Sequence, residues 1–213
     1  MSNEWDDLIN QIMNCRKCIL YKTRKNPVPG EGNRNADLVF IGEAPGARED
    51  ETGRPFVGAA GKLLTELIES IGLSREEVYI TNIVKCRPPR NRDPREEEVS
   101  ACLPYLIKQI RLIRPKIIVA LGRHAGRTLF ELAGLKWTSM ARMHGRVFDA
   151  IVAGVPVKLT VTYHPAAALY NPRLRGSLER DFRETIKSLL DQLSPKEAGR
   201  GVRQRTLFEY FQG

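Results

Sequence analysis

The sequence predicts an α/β domain with a parallel sheet covered by helices on both faces. Three observations support this. Short apolar runs at residues 38–41, 78–84, 116–121 and 157–162 have the length of buried strands. Amphipathic stretches lie between them, so strand and helix alternate. The chain has 213 residues, enough for one well-buried domain over residues 1–193.

Residues 4–14 read as a short amphipathic helix, with Trp5, Leu8, Ile9 and Ile12 on one face. The segment 26–35 is rich in Pro, Gly and Asn and reads as loop. The first strand ends at Gly42, and a helix follows with Leu63, Leu64, Leu67, Ile68 and Ile71 on its apolar face. Between them lies a long turn carrying Glu43, Glu49, Asp50 and Phe56. In open α/β sheets the active crevice lies outside the carboxyl ends of the strands, so this turn is the expected site.

The second strand runs into Lys85-Cys86-Arg87-Pro88-Pro89-Arg90-Asn91-Arg92, a stiff, exposed and basic loop. Asp93 is the expected cap of the next helix, with Pro94 at its first position. That helix carries Cys102 and runs to about residue 113. The third strand is followed by a helix over 124–133, and residues 134–150 give no clear pattern. The fourth strand ends at Tyr163-His164-Pro165, and the last long helix spans 174–193. Residues 194–213 open on Ser-Pro-Lys-Glu-Ala-Gly-Arg-Gly, which reads as a flexible linker.

A net charge of +9 suits a polyanionic partner such as nucleic acid. No apolar run is long enough to cross a membrane and no signal peptide is legible, so a cytoplasmic location is expected. Four cysteines in such a chain point to metal rather than disulfides. Cys15 and Cys18 form a Cys-x-x-Cys turn, with Cys86 and Cys102 as the other pair; four thiolates suit tetrahedral zinc or a four-iron cluster. The segment from Gly58 to Lys62 fails as a phosphate loop. That motif needs glycine where Phe56 stands and Ser or Thr where Leu63 stands. A Gly-x-Gly-x-x-Gly after the first strand is also missing, which disfavours a dinucleotide-binding enzyme.

Of the three histidines, His124 and His144 show no partner pattern and read as surface or structural residues. His164 lies at the active edge of the sheet, fixed by Pro165. The loop after it offers Leu169 or Tyr170 as a wedge for a nucleic-acid groove.

Three stretches carry a family resemblance. Gly42-Glu43-Ala44-Pro45-Gly46, Glu49-Asp50 and Gly53-Arg54-Pro55-Phe56-Val57-Gly58 resemble the first motif of family 4 uracil-DNA glycosylases. His164-Pro165-Ala166-Ala167 resembles the second motif, and Thr81 to Pro89 also matches. The cysteines have 67 residues between Cys18 and Cys86 and 15 between Cys86 and Cys102, similar to that family's iron–sulfur ligands. The resemblance implies a structural [4Fe-4S] cluster, a central four-stranded parallel sheet in a three-layer αβα domain, and a monofunctional enzyme excising uracil from deaminated DNA. Tyr170 stands where the family often has Arg.

The implied roles follow the chemistry of each residue. Phe56 stacks on a flipped base, and Asn82 reads its Watson–Crick edge with one donor and one acceptor. His164 donates to O2, the backbone at Glu43 and Ala44 contacts the base, and Glu43 positions water or stabilises the cationic sugar. Other uracil-glycosylase families carry Asp at the position of Ala44. Glu49 crowds C5 of the base, and Arg87, Arg90, Asn91 and Arg92 contact DNA. The rival class is a non-enzymatic iron–sulfur or zinc nucleic-acid-binding module, which gives Glu43, Phe56 and His164 no task.

The tail Gln204-Arg205-Thr206-Leu207-Phe208-Glu209-Tyr210-Phe211 resembles the sliding-clamp-binding (PCNA-binding) peptide of replication and repair proteins. One helical turn places Leu207, Tyr210 and Phe211 on one face for a partner groove. Tyr210 to Gly213 also resembles the end of a protease-cleavage tag, although Phe208-Glu209 does not match one.

Overall fold

The structure, a computed structural model, describes residues 2–193. The linker and the tail with Gln204, Leu207, Tyr210 and Phe211 lie outside the described residues. Along the chain run α1 (Ser2–Met13), β1 (Glu31–Gly32), β2 (Leu38–Gly42), α2 (Ala47–Thr52), α3 (Ala59–Ser70) and β3 (Tyr79–Asn82). Then follow α4 (Glu96–Ile113), β4 (Ile117–Leu121), α5 (Arg123–Leu132), α6 (Met140–Met143), β5 (Val147–Val152) and β6 (Val155–Thr162). The described residues close with α7 (Pro165–Ala168), α8 (Pro172–Arg180), a π-helical turn (Asp181–Ile186) and α9 (Lys187–Leu193).

The sheet has six strands in the order β1-β3-β2-β4-β6-β5, where four were expected. β3, β2, β4 and β6 are mutually parallel, while β1 and β5 add antiparallel edges. β5 falls in the stretch 134–150 that gave no clear pattern. Its alternation of exposed and half-buried residues marks an edge strand rather than a buried one. The two-residue β1 lies within the expected loop, too short for any periodicity to reveal it.

Every residue of β2 and β4 is buried, which explains their unbroken apolar runs. Val39 and Ile41 face one core with Trp5 of α1, Leu106 of α4 and Leu129 of α5. Leu38 and Phe40 face the other with Leu64 and Ile68 of α3 and Phe182 of the π-helical turn. The sheet is thus the middle of three layers.

Two local expectations are corrected. The long turn holds the short helix α2, and Asp50 within it is buried away from the strand ends. Its carboxylate accepts from the Lys25 backbone N–H at 2.9 Å, tying the segment after the cysteine pair to the turn. Asp93 does not cap α4 and Pro94 is not its first residue. The Glu98 carboxylate reaches back to the Arg95 N–H at 2.8 Å, so the helix begins after Arg95. Asp93 turns instead toward His124, 2.9 Å away.

Candidate active site

The carboxyl ends of β2, β3 and β6 open into one cleft with about 870 Å³ of atom-free space. Glu43, Ala44, Glu49, Phe56, Asn82, Asn91, Arg92 and His164 line it, so the long turn, the end of β3, the basic loop and the residues after β6 converge. No lysine lines it among the described residues.

Glu43 and Ala44 leave the end of β2, where Val84 N–H still donates to the Glu43 carbonyl at 2.9 Å. The Glu43 carboxyl is half-buried and sits above the usual carboxylate range, chiefly through burial. His124 works against this and Asp93 with it. Glu43, Asp93 and His124 bring their polar atoms within 4.8 Å of one another at the cleft's rim. His124 and Asp93 were not expected here; a helix-start histidine and a loop aspartate carry no spacing signal that joins them.

Glu49 faces the cleft from α2. One carboxylate oxygen accepts from the N–H groups of Val57 at 2.9 Å and Gly58 at 3.0 Å, the free donors at the start of α3. This fixes the backbone beside Phe56. Phe56 has φ of +50°, a left-handed conformation that costs a non-glycine residue about 1–3 kcal/mol and persists only where neighbours impose it. The turn also needs glycine at Gly61, because a Cβ there would lie 1.8 Å from the Phe56 carbonyl oxygen. Gly42 lets Phe56 and Asn82 close in: a Cβ there would lie 2.4 Å from Asn82 Oδ1 and 2.6 Å from the Phe56 ring.

Asn82, the last residue of β3, is 1 % exposed. Its Oδ1 is the single buried side-chain polar atom without a hydrogen-bond partner among the described residues. An orphaned acceptor costs about 1–3 kcal/mol unless a ligand satisfies it. Its backbone is anchored from behind: the buried Lys85 Nζ donates to the Asn82 backbone carbonyl at 2.7 Å, and to Thr81 Oγ1 and Gln109 Oε1 at 2.6 Å each.

His164 follows β6, and its ring lies 5.6 Å from that of Phe56 at an interplanar angle of 29°. Burial pushes its pKa down to about 4, with Glu49 opposing the shift. The imidazole is therefore neutral at pH 7. Its Nδ1 accepts the Ala166 N–H at 3.1 Å, so the proton resides on Nε2. His144, by contrast, is carboxylate-paired: its Nδ1 lies 3.0 Å from Asp181, which also accepts from Thr162 Oγ1 at 2.6 Å. That network braces the end of β6 two residues before His164.

Arg87 donates from Nε to Asn91 Oδ1 at 2.7 Å, and Arg90 is exposed with φ of +56°. Arg92 is engaged internally in a two-pronged pair with the fully buried Glu98 at 2.6 and 2.8 Å, holding the basic loop on α4. Beyond His164, Leu169 is 37 % and Tyr170 90 % exposed, a protruding pair with little of their own fold to pack on.

The cysteines meet where the end of α1, the loop after β3 and α4 come together. Cys15, Cys18, Cys86 and Cys102 line one recess with Arg24 and Tyr105. Arg24 donates to Cys86 Sγ at 3.0 Å and the Lys85 backbone N–H to Cys102 Sγ at 3.2 Å. Burial raises the Cys102 thiol to about 11, so it stays protonated without an ion to replace its proton.

A family model described as the uracil DNA glycosylase superfamily matches residues 29–190. The type-4 uracil-DNA glycosylase of Archaeoglobus fulgidus is 52% identical over 205 residues, 96% of this chain and 98% of that protein. The type-4 uracil-DNA glycosylase of Saccharolobus solfataricus is 54% identical over 86% of each chain. The one from Thermotoga maritima is 47% identical over 76% of this chain and 81% of its own length. With a family model over most of its length and about half its residues identical to these relatives, the chain belongs to the uracil-DNA glycosylase superfamily and, within it, to the type-4 group.

Proposed function

We propose that this chain removes uracil from DNA by base flipping and hydrolysis of the N-glycosidic bond, beginning base excision repair. The observation that carries this is the orphaned Asn82 Oδ1 at the bottom of the cleft. Uracil offers N3–H to that oxygen and O4 to the amide N–H of the same side chain. Cytosine presents an acceptor and a donor instead, leaving two buried mismatches, the strong kind of discrimination.

The remaining roles follow from position. A flipped ring enters between the strand ends and stacks on Phe56. His164, neutral and carrying its proton on Nε2, donates to O2, where negative charge grows as the bond to the sugar breaks. A donor fixed in place for developing charge favours the transition state over the ground state. Glu43 holds the attacking water or faces the cationic sugar. Ala44 has no group to act as base, so the water falls to Glu43 and its neighbours. Glu49 keeps Phe56 in place and closes the C5 side against the thymine methyl. The missing lysine in the cleft supports hydrolysis alone, without an imine step that cuts the strand. The basic loop, held on α4 by Arg92, follows the phosphates with Arg87, Arg90 and Asn91, and Leu169 and Tyr170 fill the gap left by the flipped nucleotide.

Cys15, Cys18, Cys86 and Cys102 hold a structural [4Fe-4S] cluster. The spacing of the cysteines along the chain, similar to that of the family's iron–sulfur ligands, supports a cluster over zinc. The cluster, when bound, supplies a cross-link between the end of α1, the loop after β3 and α4. The tail with Gln204, Leu207, Tyr210 and Phe211 tethers the enzyme to a sliding clamp, which raises its effective concentration on DNA. Removing residues 204–213 is expected to abolish clamp pull-down and leave excision on short oligonucleotides intact.

The functional test is a release assay. Purified, cluster-loaded protein is expected to free uracil from single- and double-stranded oligonucleotides and leave an abasic site with the strand uncut. No uracil release overturns the reading.

A further inference from the structure

Behind Phe56, on the side away from the cleft, sits a cation that the reaction itself does not use. Arg75 follows α3 and is largely buried, its side chain 14% exposed. One of its terminal nitrogens donates to the Pro55 carbonyl at 2.9 Å, and the other to the Phe56 carbonyl and to Thr65 Oγ1, both at 3.2 Å. Its charge faces Glu31 of β1 at 3.6 Å, and Glu31 is itself held by Arg54. The segment is thus gripped from two sides. Glu49 takes the amides of Val57 and Gly58, while Arg75 takes the carbonyls of Pro55 and Phe56.

We propose that Arg75 is a positioning residue for the base-stacking Phe56: its two-pronged hold on consecutive carbonyls keeps that residue in its left-handed conformation, with the ring presented to the flipped base. This rests on the uracil-pocket reading above. The planar fork matters, because one guanidinium reaches two carbonyls and a hydroxyl in fixed geometry. A lysine ammonium would keep the charge opposite Glu31 but present a single point. Glu49 alone cannot replace the hold, since its contacts lie on the far side of the Phe56 peptide.

The same geometry gives a readout that a purely structural role does not move. Phe56 lies against His164, whose surroundings include one charged group, Glu49, and are otherwise desolvating. Releasing Phe56 lets water reach the imidazole and brings its titration up from about 4.

The test compares wild type, Arg75→Met and Arg75→Lys by three measurements: KM and kcat on a single-stranded uracil oligonucleotide, inhibition by free uracil, and the His164 titration by NMR. Arg75→Met is expected to raise KM and weaken uracil inhibition each by about tenfold, the size of one lost base–aromatic stack, with kcat changed less. The His164 titration should move upward. Arg75→Lys should behave like Arg75→Met and carries the test should the methionine variant fail to fold. Wild-type inhibition and His164 titration in both variants overturn the proposal, as does full rescue by lysine. A wild-type protein that neither binds uracil nor releases it overturns the pocket reading instead, so the two failures are distinct.

Discussion

The base cleft and the cysteine recess are both fed by one strand. β3 ends in Asn82 at the cleft, and four residues later Cys86 enters the recess. The cleft is built from groups left deliberately unmatched: an orphaned acceptor on Asn82, a neutral imidazole on His164 and a phenylalanine held at positive φ. The recess is built from groups whose internal partners are in place: Arg24 on Cys86 and the Lys85 N–H on Cys102. Unmet polar groups reserve a place for a transient ligand, whereas the proposed cluster in the recess would be a permanent one that displaces thiol protons. Lys85 stands between them, bonded to the Asn82 carbonyl by its side chain and to Cys102 by its backbone. Damage to the cleft should therefore cost chemistry and spare the fold, and damage to the recess should do the reverse.

The largest expected effect sharpens the first half of that contrast. His164→Ala removes the proposed donor to O2 and should lower the rate of excision by about 10²–10³, the usual loss for one preorganised donor. Its melting temperature should stay within a few degrees of wild type, because a desolvated imidazole adds little to stability. An equal loss of stability and activity would break the contrast at its strongest point.

Cys102→Ser tests the other half. The proposed cluster would tie α4 to the loop after β3 and to the end of α1, so its loss should lower the melting temperature by roughly 10 °C or more and bleach the visible charge-transfer absorption. The fraction that remains folded should keep its preference for uracil over cytosine. Iron is expected in metal analysis of the wild type; zinc without iron would replace the cluster with a different metal centre.

The pH dependence is a smaller effect. The folded His164 titrates near 4 and the unfolded histidine near 6.5. The unfolded chain therefore binds the extra proton first as pH falls. The stability that His164 contributes is full above pH 6.5 and declines as pH drops from there to 4. Activity should hold well below pH 6 as far as this residue is concerned. An acid limb near 6.5 in the excision rate would mean that His164 is solvated.

The contrast also explains what the sequence reveals. The four central strands are legible because burial on both faces leaves unbroken apolar runs, as in Leu38–Gly42. β5 is not, because Val147–Val152 alternates at an edge beside a turn. Glu43, Phe56, Asn82 and His164 converge as expected, since strand ends in a parallel sheet share one side. Asp93, His124 and Arg75 escape detection because each acts across the fold on a partner far away in sequence, with no spacing to betray it. Local pattern makes Asp93 look like a helix cap, but Glu98 reaches back from the helix's own first turn to the Arg95 N–H.

The most direct measurement is the ratio of uracil to cytosine excision by Asn82→Asp set against wild type, on otherwise identical single-stranded oligonucleotides. On the proposed reading, the wild-type Asn82 amide matches uracil on both contacts. The carboxylate keeps the acceptor for N3–H but sets a second oxygen against O4, a buried mismatch worth about 1–3 kcal/mol, or roughly 5- to 150-fold. Uracil excision should fall by that factor and the uracil-to-cytosine ratio should shrink, with the fold and the visible absorption unchanged. An Asn82→Asp protein that removes uracil at the wild-type rate and with the wild-type ratio would contradict the claim that this side chain reads the base.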